Sequence, residues 1–191
     1  DEVFRGKSPK YSPDSNSIIL NQKCNRWNYL EIQHAKNVSS EWISSIDQKF
    51  FTRQGDILIN STGDGTIGRA TYIDETNQGL LYDSHMLLLR LNQQAVDPLY
   101  LTYFINSKLG QTQIENIKSA VATKQTELGI NNLKNIQFVL PSLPIQKEIS
   151  KAISTLEKEI MALEEASEKC KERALLEFEM EIFSDSKKTQ G

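Results

Sequence analysis

The sequence predicts an α+β chain: an irregular, strand-rich N-terminal part with a few helices, then one long C-terminal helix. Three observations carry this expectation. Short β-branched and apolar runs alternate with Gly, Pro, Asn and Asp clusters as far as Leu140. From Ile145 to Phe183 there is neither Gly nor Pro, and the helix formers Glu, Lys, Leu and Ala dominate. Between the two lies Pro141-Ser142-Leu143-Pro144, where neither proline suits a helix interior but Pro144 suits a first helical turn.

In chain order, the expected strands are Ser17–Leu20, Leu30–Ala35, Phe50–Thr52, Asp56–Asn60, Arg69–Ile73 and His85–Leu91, with a last short one at Ile136–Leu140. A helix is expected after Asp97-Pro98, with Asp97 as N-cap and an apolar face of Leu99, Leu101, Tyr103, Phe104, Ile105 and Leu109. Gln111–Ile117 reads as a second helical piece. Trp27, Trp42 and Phe50-Phe51 read as core aromatics rather than base-stacking groups.

The C-terminal segment carries its own signal. Ile149, Ile153, Leu156, Ile160, Leu163, Ser167, Cys170 and Ala174 recur in alternating steps of four and three, a heptad seam. Small or polar residues occupy the seam after Leu163, and Leu175, Phe178 and Ile182 carry a shifted stripe. So narrow an apolar stripe is covered by another helix, and the expected interface is a coiled coil. The expected organisation is therefore a globular domain over 1–144, a helix over 145–185 and a tail over 186–191.

The bulk composition narrows the function. The chain has 191 residues, 38% hydrophobic and 25% charged, as in soluble globular proteins. No run is long and apolar enough for a membrane span, and no signal peptide is visible. Cys24 and Cys170 read as free thiols in a reducing cytoplasm, and no Cys/His spacing fits a metal site. Over 1–144 the 14 basic residues balance the 14 acidic ones, so the net charge of −3 falls in the C-terminal segment. Charge alone does not nominate this chain for nucleic acid.

Gly63-Asp64-Gly65-Thr66-Ile67-Gly68 fits G-x-G-x-x-G, and Asp83 lies where a dinucleotide-binding unit places its ribose acid. A dinucleotide cradle needs a helix to start within that motif. Here Arg69-Ala70-Thr71-Tyr72-Ile73 follows, which reads as a strand, and the Lys-Ser/Thr of a phosphate-binding loop is missing. The motif is read instead as a glycine turn between two strands, surrounded by Asn60, Ser61, Thr62, Asp64, Thr66 and Arg69.

Gly55 to Arg69 resembles the signature of target recognition domains in type I restriction–modification specificity subunits. The resemblance continues through Asp83-Ser84-His85-Met86-Leu87-Leu88-Leu89-Arg90, Asp97-Pro98-Leu99-Tyr100-Leu101 and Thr123-Lys124-Gln125-Thr126-Glu127-Leu128. It ends in Leu140-Pro141-Ser142-Leu143-Pro144-Ile145-Gln146-Lys147-Glu148-Ile149, which is similar to the entry into that family's spacer helix. It implies a non-catalytic, cytoplasmic DNA-binding subunit of a phage-defence system, reading one half of a bipartite target. The implied partners are double-stranded DNA, methyltransferase subunits that use S-adenosylmethionine, and, indirectly, motor/nuclease subunits. No cofactor or metal is implied for this chain itself. Family members commonly carry two recognition domains and two spacer helices. With one of each here, the resemblance implies half of a longer subunit or a half-size subunit that dimerises.

DNA-reading side chains are expected in loops at one end of the strands. Nominated by chemistry and by motif are Lys7, Lys10, Tyr11, Ser61, Thr62, Thr66, Arg69, His85, Lys118, Thr123, Lys124 and Gln125, with the backbone N–H groups of Gly63 and Gly65. Two other readings compete. Asp47-Gln48-Lys49 matches half of a metal-nuclease motif, without a convincing upstream acid. Alternatively, the chain is a coiled-coil adaptor whose globular part binds protein.

Overall fold

The protein is described from a computed structural model covering residues 1–63, 65–119 and 127–188, the side chains of 118–119 and 184–188 excepted. Its centre follows from two apolar runs. Ile57–Asn60 (β4) and Met86–Arg90 (β7) pair antiparallel, with Ile57 opposite Leu89 and Asn60 opposite Met86. Glu2–Arg5 (β1) adds to the far side of β7 and Ala70–Tyr72 (β5) to the far side of β4, giving the order β1-β7-β4-β5.

Strand periodicity then assigns each face. Ile57, Ile59, Leu87 and Leu89 point to one face, where they meet Leu101, Ile105 and Ile114 from the helices Pro98–Asn106 (α2) and Lys108–Ser119 (α3) and Leu133 from Ile130–Lys134 (α4). Leu58, Met86 and Leu88 point to the other face, against Leu20, Cys24, Ile73 and Tyr82. Beyond them Ile18–Leu20 (β2), Lys36–Asn37 (β3) and Leu81–Tyr82 (β6) form a second sheet in the order β3-β2-β6, with β2 and β6 parallel. Both faces of the first sheet are therefore covered, and its central strands read as continuous apolar runs.

Several expectations hold and several change. Asp97 caps α2 by accepting from the N–H of Leu99, and Pro98 stands in its first turn. Leu109 is not on the buried face: α2 ends at Asn106, and Leu109, in the first turn of α3, is 70% exposed. Ile32–His34 is a single 3-10 turn rather than a strand. Gln48–Phe50 is another, capped by the Asp47 carboxylate on the N–H of Lys49 at 2.9 Å, so Asp47-Gln48-Lys49 works here as a cap. Ile136–Leu140 joins no sheet: the side-chain amide of Gln113 both accepts from the N–H of Gln137 and donates to its carbonyl, each at 2.8 Å. A short helix at Ser40–Ser44 (α1) has its N-cap in Ser39.

The long helix, Leu143–Lys188 (α5), spans 46 residues. Its first turn is held by Gln146, whose side chain accepts from the N–H of Asp97 at 2.8 Å and donates to the carbonyls of Ala95 and Pro141. The chain divides into two compact units, Asp1–Lys147 and Glu148–Gly191. Along the second unit Ile149, Leu156, Ile160 and Leu163 are 36–70% exposed, Ile153 is half-buried, and Ser167, Cys170 and Ala174 are exposed. Among the described residues no helix is long and apolar enough to cross a membrane.

One ion pair ties the first sheet to the loops around it. Arg90 donates to both carboxylate oxygens of Asp56, at 2.8 and 2.7 Å, and to the carbonyls of Phe51 and Lys49. Asp56 is buried, so removing its partner leaves an uncompensated charge. Arg90→Met is expected to destabilise the fold by about 3 kcal/mol. Asp56→Asn combined with Arg90→Met costs less than the sum of the two single changes, as urea denaturation midpoints would show.

Candidate functional site

The glycine motif sits where β4 turns into β5. Asn60 and Arg69 close the hairpin, with the N–H of Asn60 on the carbonyl of Arg69 at 3.0 Å and the N–H of Gly68 on the carbonyl of Asn60 at 2.9 Å. Inside it the N–H groups of Thr66 and Ile67 share the carbonyl of Gly63. Ile67 points into the core. Gly63 and Gly68 have φ of +98° and +83°, and a Cβ on Gly68 would lie 2.6 Å from Cδ1 of Ile114. Glycine is required there by both backbone conformation and space. The motif is thus a hairpin turn between two strands, as the sequence indicates, and not the start of a nucleotide-binding helix.

Four chain segments meet at this end of the sheet. Register places the end of β1 and the start of β7 beside the end of β4. Arg5 of β1 donates through Nη1 to Oγ of Ser61 at 3.1 Å and to the carbonyl of Ser84 at 3.2 Å, and it pairs with Glu127. Ser61 gives its N–H to the carbonyl of His85 and takes the N–H of Leu128 on its own carbonyl. Thr62 Oγ1 contacts His85 Nδ1 at 2.8 Å and Gln22 Oε1 at 3.2 Å. Thr66 Oγ1 bonds the carbonyls of Thr62 and Gly63.

Asp83 starts the tight turn into β7, accepting the N–H of His85 at 3.0 Å. Burial pushes its carboxyl pKa up, against the opposing pull of that hydrogen bond. The Thr62–His85 contact has the spacing of a nucleophile and its base. Asp83, however, bonds the backbone of His85 rather than its ring, so this acid does not orient the imidazole. Among the described residues no group of three or more His, Cys, Asp and Glu could hold a metal. The site offers hydroxyls, amides, cations and backbone N–H groups: the chemistry of recognition.

The turn rests on a layer of amides. Asn25 Nδ2 lies within hydrogen-bonding distance of three acceptors, the carbonyls of Leu58 and Arg69 and Oδ1 of Asn60, while its Oδ1 accepts from Thr71 Oγ1 at 2.6 Å. Asn60 donates to the carbonyl of Gln22. Asn106 of α2 brackets Ala70, accepting its N–H at 2.9 Å and donating to its carbonyl at 2.8 Å. Gln111 of α3 donates to the carbonyl of Gly68.

The nominated residues separate accordingly. Ser61, Thr62, Gly63, Gly65, Thr66, Arg69 and His85 are brought together by the turn and its neighbours. Lys7 leaves the same sheet end through its backbone, but its ammonium lies over the ring of Phe50, 4.0 Å from the centroid. Lys10 and Tyr11 are not part of the cluster: they run beside β3, with Lys36 over the Tyr11 ring. The side chain of Lys118, and all of Thr123, Lys124 and Gln125, lie outside the described residues. Glu127 and Leu128 are both fastened to this end.

Sequence reasoning missed Arg5, Gln22, Asn25, Ser84, Asn106 and Glu127. The available signal was the amide-rich run Asn21-Gln22-Lys23-Cys24-Asn25-Arg26-Trp27-Asn28. It also misplaced one aromatic. Trp42, Phe50 and Phe51 pack partly buried against Ile19, Val38 and Leu81, but Trp27 is 42% exposed.

Two measurements check this geometry. Gly68→Ala is expected to lower stability by about 2 kcal/mol or more, from the left-handed φ and the collision with Ile114. Asp83→Asn keeps the acceptor for His85 and removes a buried charge. Its urea midpoint at pH 7 is expected above that of the parent. The gap should close as pH falls through the raised Asp83 pKa, where the parent carboxyl becomes neutral too.

The comparisons with known proteins agree with this architecture. The family described as "Type I restriction modification DNA specificity domain" matches residues 2–170. A protein of Methanocaldococcus jannaschii, assigned as the specificity subunit of the type I restriction enzyme MjaX, is 30% identical over 120 residues, 59% of this chain and 28% of its own length. Among solved structures, the HsdS subunit from Thermoanaerobacter tengcongensis superposes with a TM-score of 0.60 at 13% identity, over 85% of this chain and 43% of its own. A chain from a type I R-M system, solved in work on complex assembly and conformational transition, gives 0.60 at 16% identity over 86% and 38% of the two chains. The chain thus spans less than half the length of these relatives. With the matched region running from β1 well into α5, this chain belongs to the type I restriction–modification DNA specificity domain family.

Proposed function

We propose that this chain reads one half of a bipartite double-stranded DNA target, as the specificity component of a type I restriction–modification system. The observation that carries this reading is the convergence at one sheet end. The glycine turn, the Asp83–His85 turn, the end of β1 and the pair Glu127-Leu128 all meet there, in a family defined by DNA specificity. Hydroxyls, amides and an arginine suit base edges and phosphates. The family and the curated relative are specificity components, so the role is recognition and not catalysis.

In this role residues 1–144 form a reading domain and 145–185 a helical ruler, with 186–191 as a tail. The exposed stripe from Ile149 to Leu163 is covered by an antiparallel partner helix, from a second copy or from a second half of a longer subunit. A rigid helix holds two readers at a fixed separation along DNA, and linking two weak readers raises their combined affinity. In this role the chain docks methyltransferase subunits, which supply S-adenosylmethionine chemistry, and through them motor/nuclease subunits. It works in the cytoplasm, in defence against phage DNA.

Arg69→Ala and Lys124→Ala are each expected to weaken duplex binding several-fold in fluorescence anisotropy, with circular dichroism unchanged. Sequencing the methylated positions in cells carrying the system would return the bipartite motif, and absence of any such motif would overturn the reading. For the helix, Leu156→Glu with Ile160→Glu is expected to abolish self-association in sedimentation equilibrium while leaving the globular unit folded.

A further inference from the structure

The four-residue turn Arg26-Trp27-Asn28-Tyr29 is built like a contact surface rather than a connection. It exposes two large aromatics side by side, Trp27 at 42% and Tyr29 at 55%. Its backbone is nevertheless pinned at every residue but Trp27. The N–H of Arg26 bonds the carbonyl of Tyr29 at 3.0 Å, and the N–H of Asn28 bonds that of Ala70 at 3.2 Å. Thr71 Oγ1 reaches the carbonyls of Arg26 and Tyr29, and Asn106 holds the Asn28 side chain. Asn28 takes φ of +69°, the one left-handed residue other than glycine in the described chain. Asparagine adopts this conformation more readily than other residues with a side chain, and here the bonds of its N–H and its side chain hold it there.

The turn is continuous with the glycine turn through Arg69. The Arg69 guanidinium lies over the Trp27 ring, with Cζ 5.6 Å from the centroid. Its Nη2 makes one long contact, 3.4 Å, to the carbonyl of Gly65, and its buried Nε has no acceptor among the described residues. Nor has it a carboxylate partner among them, whereas neighbouring Arg26 is paired with Glu31. Stacking on Trp27 thus fixes the direction of a positive charge that has no carboxylate partner among the described residues. The glycine turn that bears Arg69 also carries Thr62 and Thr66, with the amide of Gln22 bonded to Thr62, polar groups rather than the apolar ring that would seat a protein anchor.

We propose that the Arg26–Tyr29 turn is a DNA-contacting tip, in which Trp27 packs on deoxyribose and base edges while Arg69, laid over it, pairs with an adjacent phosphate. This rests on the reading that the chain binds duplex DNA. The tip adds an apolar contact with a rigid aromatic, which has few rotamers to lose on binding, to a site otherwise made of hydrogen-bonding groups.

The test uses the full chain carrying Trp42→Phe, which leaves Trp27 as its only tryptophan. Labelled duplex of randomised sequence is titrated at low salt, reading DNA anisotropy and Trp27 emission together. The proposal expects Trp27 emission to change along the same curve as anisotropy. It expects Trp27→Ala to weaken binding by about tenfold, with Trp27→Phe recovering most of the loss. Arg69→Ala should reduce the slope of log affinity against log salt by about one. Anisotropy that saturates while Trp27 emission and the Trp27→Ala affinity stay unchanged overturns the tip and leaves the DNA reading standing. No anisotropy change at low salt overturns both. Should Trp27→Ala lose its circular dichroism, the emission arm on the parent background decides.

Discussion

The side-chain amide of Asn25 is the contact on which the rest of the site depends. It is fully buried, and it joins three segments that sequence alone leaves unrelated: the 21–30 loop, the end of β4 and the start of β5. Its two N–H hydrogens face three acceptors, so one is shared, and its oxygen takes the Thr71 hydroxyl. A buried polar network of this kind is costly if any member is missing and specific when all are satisfied. Here it fixes the height of the glycine turn above the sheet and the position of the Arg26–Tyr29 turn beside it.

Around this junction the protein divides its labour between core and rim. The sheet is stabilised by apolar burial on both faces, and Leu58 and Leu88 on one side and Ile59 and Leu87 on the other are fully buried. At the rim, side chains that donate and accept hydrogen bonds are fixed by neighbours from other segments: Ser61 by Arg5, Thr62 by His85 and Gln22. Preorganisation of this sort lowers the ordering entropy that binding costs.

Much of the fold could be read from the sequence because its signals are local. β4, β5 and β7 are runs of apolar and β-branched residues between turn formers, α2 carries its cap in Asp97-Pro98, and α5 announces itself by heptad spacing. The missed parts depend on distant partners. Glu2–Arg5 looks like a polar terminus until β7 offers it an edge. Ile136–Leu140 has strand composition, but it pairs with a glutamine side chain of α3 in place of a neighbouring strand. The glycine turn was legible because left-handed conformations demand glycine. The amides beneath it were not, since an asparagine that anchors a backbone forty residues away leaves no spacing to find. Trp27 was misjudged because an aromatic residue most often belongs to the core, and only the Asn28 conformation and its pins hold it outward.

Those amide anchors share a property with a longer reach. Asn25, Asn60, Asn106 and Gln111 grip main-chain carbonyls, of Leu58, Arg69, Gln22, Ala70 and Gly68, rather than the side chains at those positions. A carbonyl is the same whatever residue bears it. Mutation at Gln22 or Arg69 therefore alters what the rim presents while leaving these amide-to-carbonyl bonds intact. Such an arrangement separates heritable change in preference from heritable change in foldability, and lineages can drift between targets without passing through unfolded ancestors.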